Sequence, residues 1–172
     1  MQEEEPIKLG PVDLIMMQLD SNELRGEIAN EIAKASNKNI IRVLDALAVR
    51  KEENGSFTTL EATDLTPKQH KELGEALGTL IGLGAGGLEG AEAGAERGAK
   101  KFAENTFGLS KKDIRSIADR VPAGKTLLMV MFEHRWALNL KQAVDKANGV
   151  VLAEGIIRPE ALVMAGARMA NA

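Results

Sequence analysis

Glycine stands at every fourth position between residues 74 and 98: Gly74, Gly78, Gly82, Gly86, Gly90, Gly94 and Gly98. Flexible linkers keep no such period. On a helix, a four-residue step stacks each glycine almost above the last, drifting about 40° per step against the 3.6-residue turn. The stripe is a shallow groove into which another helix can press its backbone. Rows four apart that interdigitate favour a right-handed crossing. Each interior helical glycine costs roughly 1 kcal/mol relative to alanine, so seven cost about 5–7 kcal/mol. That rivals the whole stability of a small domain, so the helix needs close packing to offset it.

The start of this helix is marked by Thr66-Pro67-Lys68-Gln69, a capping box with proline at the first helical position. Unbroken from Pro67 to Asn105, it would measure roughly 58 Å. A body of this chain length is only roughly 40 Å across. The helix would then project, and its groove would find its partner on another copy, giving a closed ring or a filament. Self-association is therefore the leading expectation. The alternative is a hairpin: Gly84, Gly86 and Gly87 lie close enough together to break the helix and fold its halves onto each other.

The flanking segments alternate strand and helix patterns. Residues 11–19 (PVDLIMMQL) are apolar on both alternating faces, as in a central strand covered on both sides. Asn22 caps an expected helix with Leu24, Ile28, Ala29, Ile32 and Ala33 on one stripe. The β-branched run 40–50 follows, then a turn at Glu53-Asn54-Gly55 into a strand over 56–62. After the glycine segment, Ser110 opens a short helix with Ile114, Ile117, Ala118 and Val121 on one face, stopped by Pro122. A strand is expected over 125–132, a helix carrying Trp136, Leu140 and Val144 that ends at Asn148-Gly149, and a last strand over 150–157. The expected architecture is one α+β domain over 1–172, a ferredoxin-like sandwich of two βαβ units. Its parts are 10–62, the glycine-zipper insertion 66–105, the second unit 110–158 and a tail helix 159–172.

Composition narrows the chemistry. Cysteine and tyrosine are absent and there are two histidines, so thiol catalysis, disulfide frameworks and cysteine zinc sites are excluded. A net charge of -3 argues against a nucleic-acid binder. The acidic opening Met1-Gln2-Glu3-Glu4-Glu5 is unlike a leader, and a cytoplasmic location is expected. Residues 76–88 carry no charge, but thirteen residues are short of the roughly 20 that a span needs.

The dinucleotide-fingerprint match at Gly82–Gly87 falls out of the four-residue period and follows a helix rather than a strand. Gly124-Lys125-Thr126 imitates the end of a phosphate loop with the flanking elements reversed. Asp45, in strand register with Ile41, Val43, Leu47 and Val49, is a candidate buried carboxylate. It needs a partner, and Arg42, Arg135 or His134 could serve. Glu133-His134-Arg135 reads as a polar strand end, and His70 as a surface residue.

Gly10-Pro11-Val12-Asp13, Gly26-Glu27-Ile28 and Ile41-Arg42-Val43-Leu44-Asp45, with Arg50-Lys51 and Gly55, resemble a family of small bacterial proteins that is a domain of unknown function. The resemblance continues at Glu61, Asp64, Trp136-Ala137 and Gly149, covering about two-thirds of the chain. It implies an α+β fold and supplies no activity or catalytic residue. The glycine-rich middle is similar to that of a related family labelled membrane-associated. The expected function is a non-enzymatic, cofactor-free homo-oligomer assembled through the seven glycines. Membrane docking of that helix and small-molecule binding are the alternatives.

Overall fold

The computed structural model describes residues 9–20, 26–152, 159 and 162–163. The chain divides into two compact units, Met1–Leu138 and Asn139–Ala172, where its length predicted one domain. The fold is α+β, with a four-stranded, open, wholly antiparallel sheet. Strand β1 (Val12–Asp20) leads to helix α1 (Glu27–Asn37), and β2 (Ile41–Lys51) turns into β3 (Phe57–Ala62). Helix α2 (Pro67–Glu104), a single 3-10 turn (Thr106–Gly108) and α3 (Lys111–Arg120) then lead to β4 (Lys125–His134) and α4 (Arg135–Lys146).

The strand order is β1-β4-β2-β3. β4 runs between β1 and β2, so the crossover through α1 joins two strands separated by a third, and so does the crossover through α2 and α3. A ferredoxin-like sheet has its first and third strands at the centre; here the second and fourth stand there. β1 is thus an edge strand rather than the doubly covered centre its apolar faces predicted, and it leaves Leu14 and Met16 exposed. The central position belongs to β4, whose Met129, Val130 and Met131 are buried. Val150–Leu152 are not strand, and the rest of the expected last strand lies outside the described residues, as do Asn22 and Leu24.

Local chemistry sets the other boundaries. α1 starts after Gly26, which takes a left-handed φ of 78° that a side chain would resist. Thr66 with Gln69 and Ser110 with Asp113 form reciprocal capping boxes on α2 and α3. At the end of α4 it is Asn148, not Gly149, that turns left-handed.

The register of β2 against β4 shifts between Val43 and Asp45, a bulge that turns the strand over. Leu47 and Val49 pack with Ala118 of α3 on one face, and Leu44 with Leu65, Leu73 and Met131. Val43 lies on the opposite face, beside α1. The loop after β3 completes the interrupted ladder: Asp64 accepts the Val43 amide at 2.8 Å, and the Thr63 hydroxyl donates to the Leu44 carbonyl at 2.7 Å.

Candidate functional site

Helix α2 is a hairpin. Gly86 (φ −151°, ψ 24°) and Gly87 (φ 62°, ψ −147°) leave helical geometry, and the return arm runs back along the outgoing one. A β-carbon on Gly74 would meet the Gly98 carbonyl, one on Gly78 the Gly94 carbonyl, and one on Gly82 the Gly90 carbonyl. The reverse contacts are equally tight. Each pair is equidistant from Gly86, so the period is a zipper with its own centre of symmetry. The unbroken projecting helix is thereby corrected: six of the seven glycines find their partner within the chain, and Gly86 is the bend. Close backbone approach offsets the glycine penalty inside one molecule. The fingerprint-like Gly82–Gly87 is the bend itself.

At its base the hairpin is anchored by Leu73, with Leu77 and Phe102 against the Leu44–Met131 cluster. Its bend end has no such cover among the described residues. Leu80 is 66% exposed, Ile81 72%, Leu83 47% and Leu88 81%. Leu80 lies opposite the glycine stripe and Ile81 and Leu83 on either flank, so the end of the outgoing arm is apolar all round. The return arm is acidic by contrast, with Glu89, Glu92 and Glu96 in its first turns. No helix among the described residues is long and apolar enough to cross a membrane.

Below the hairpin lies a buried carboxylate with an unforeseen partner. Asp45 is 1% exposed, and its Oδ2 lies 2.9 Å from His70 Nε2 and accepts the Phe107 amide at 2.6 Å. Phe102 meets the His70 ring edge-on at 5.5 Å between centroids. Burial pushes the Asp45 carboxyl above its ordinary value, while hydrogen bonds from His70 and Phe107 pull against that. Phe107 holds a left-handed φ of 54°, a strained setting for an aromatic residue, and its amide is tied to Asp45 there. The pair fixes the first turn of α2 and the 3-10 turn to β2. A polar cleft of about 490 Å³ opens above it, bordered by Glu61, Glu104, Asn105 and Thr106.

Arg42, Arg135 and His134 go elsewhere. Glu133, read from sequence as a polar strand end, is fully buried. Its Oε1 accepts the Gly10 amide at 2.7 Å, and its Oε2 lies 3.0 Å from Arg42 Nη2 and 3.6 Å from Arg135 Nη1. The Arg42 contact is an ion pair without hydrogen-bond alignment, so both atoms lack a hydrogen bond among the described residues. His134 Nε2 lies 3.3 Å from Asp13 on the edge strand. The assignment of these three residues to Asp45 is therefore wrong. Arg42 stands opposite Glu133 in the β2–β4 ladder and Asp45 opposite Met131, so the carboxylate beside Arg42 is Glu133.

Lys125 pairs with Asp20 across β1 and β4, both exposed, and Gly124 donates its amide to the Lys51 carbonyl in a tight turn. Among the described residues, no group of three or more His, Asp or Glu side chains could hold a metal ion. Comparison with protein-family models, curated proteins and solved structures finds no match to this chain.

Proposed function

We propose that this is a non-enzymatic, self-associating protein whose copies meet through the apolar bend end of the glycine-zipper hairpin. The observation that carries the reading is the exposure of Leu80, Ile81, Leu83 and Leu88 on one tip. A helix end that is apolar all round asks for cover. The zipper glycines serve inside each chain, so association uses the side chains around the tip rather than the stripe itself. Identical tips on every copy suit a self-complementary contact.

A lipid surface suits the tip less well than a second copy. Glu89 adjoins Leu88 and Glu92 follows within a turn. A carboxylate carried into the hydrocarbon core costs about 2.5–3.5 kcal/mol. The acidic first turns of the return arm would also be repelled by anionic headgroups.

The chain has no cysteine, so a single Leu88→Cys reports tip-to-tip contact directly. Mild oxidation should trap a covalent dimer of that variant and not of Asn54→Cys, placed in the exposed β2–β3 turn. Equal trapping of both variants, or flotation of wild type with zwitterionic liposomes in place of dimer formation, would overturn the reading.

A further inference from the structure

A groove runs between α1 and the sheet. α1 carries its apolar stripe over the sheet, yet none of its residues is buried. Small side chains on both walls hold the space open: Ala29 and Ala33 on the helix, Ala46 and Ala48 on β2. The space measures about 520 Å³, within the roughly 300–1,000 Å³ of small-molecule pockets. Ile28, Ile32, Leu128 and Val130 make the middle apolar.

Polarity is confined to one end, where Ser36 and Asn37 close α1 beside Thr63 and Asp64. Among the described residues, the only charged ones lining the groove are Glu61 and Asp64, both carboxylates. Glu61 accepts the Thr106 hydroxyl on the far side of β3. Asp64 is held in place at the polar end, its Oδ2 accepting from Ser36 Oγ and the Val43 amide, both at 2.8 Å. Its second oxygen has no hydrogen bond among the described residues. Lys34 of α1 is paired with Glu31 at 2.6 Å. Apolar walls ending on an anchored carboxylate complement an apolar body with a cationic, hydrogen-bond-donating head.

We infer that this groove binds a small cationic amphiphile, its hydrocarbon body between α1 and β2 and its ammonium head on Asp64. The site is separate from the hairpin tip and does not depend on how copies associate.

Dodecylamine, below its micellar concentration, is the probe, with dodecanoic acid and dodecanol as comparisons. Calorimetry should give one saturable site for the amine, at least tenfold tighter than the acid. Ala33→Phe fills the groove from the exposed helix side and should abolish that site with circular dichroism unchanged; Ala29→Phe is the second variant should the first lose its fold. Asp64→Asn keeps an acceptor for Ser36 and Val43 and should bring amine and alcohol to within about twofold of each other. Leu80→Glu/Ile81→Glu, altered only at the tip, should bind the amine as wild type does. Acid bound as tightly as amine, retention of the site in a folded Phe variant, or its loss in the tip variant would each overturn the proposal.

Discussion

Gly78 and Gly94 face each other so closely that a methyl group on either would enter the other's carbonyl. That relationship decides how the four-residue period is used. A helix stripe can be filled by a neighbouring molecule or by the same chain turned back, and here the chain turns back at Gly86 and Gly87.

Substitutions along the ladder should therefore split by position. Gly78→Ala forces the arms apart and should destabilise by about 1–3 kcal/mol. Gly84 meets nothing within 4 Å and keeps helical geometry, so Gly84→Ala should stabilise by about 0.5–1 kcal/mol. Urea unfolding of the two variants checks the opposite signs.

The hairpin also fixes a distance. Lys71 and Lys100 border the same cleft between the arms. A straight helix would separate them by about 44 Å. Spin labels at both positions, diluted into unlabelled protein, should report well under half that separation. A distribution centred near the straight-helix value would remove the intrachain zipper.

Asp45 and His70 should behave as one unit. Asp45→Ala leaves His70 and the Phe107 amide without their acceptor and should cost about 3 kcal/mol. Asp45→Asn keeps an acceptor and should cost less. Burial raises the Asp45 carboxyl, with Glu61 adding to the rise and His70 opposing it. The folded state therefore holds this proton more tightly than the unfolded state does. Its contribution to stability is greatest below the ordinary value of 3.8 and is lost as pH rises through the elevated folded value. Across that window wild type should lose stability relative to Asp45→Asn, and the difference should level off above it.

Glu133→Ala should be among the most damaging single changes, about 3–5 kcal/mol, because it strands Arg42 and Arg135 beside a buried position. Lys125→Ala removes only an exposed pair with Asp20 and should stay within about 0.5 kcal/mol. Thermal or urea unfolding of the two side by side checks the contrast.

What could be read in the sequence was local. The Thr66–Gln69 box, the β2–β3 turn and the run of β4 are written in adjacent residues, and all three form. The bend stood only as the alternative to an unbroken helix, suggested by Gly84, Gly86 and Gly87 lying close together. The bulge at Leu44 was not legible, because a one-residue slip depends on what Thr63 and Asp64 offer the interrupted ladder. The slip put Asp45 on the face opposite Ile41 and Val43, with which strand alternation had grouped it. His70, three residues into a helix after a polar loop, carried no signal of burial, and neither did Glu133 at a strand end. His70 is partly covered and Glu133 fully buried, with contacts from far away in sequence, Phe102 for the first and Gly10 for the second.

The central claim is that copies associate through the hairpin tip while each zipper stays closed within its own chain. Native mass by sedimentation over a concentration series, for wild type and Leu80→Glu/Ile81→Glu, tests it most directly. Wild type should sediment as a dimer or larger species that dissociates on dilution, and the variant as a monomer with an unchanged far-ultraviolet spectrum. A wild type that stays monomeric at the highest concentration, or a variant that keeps the wild-type mass, would contradict the account.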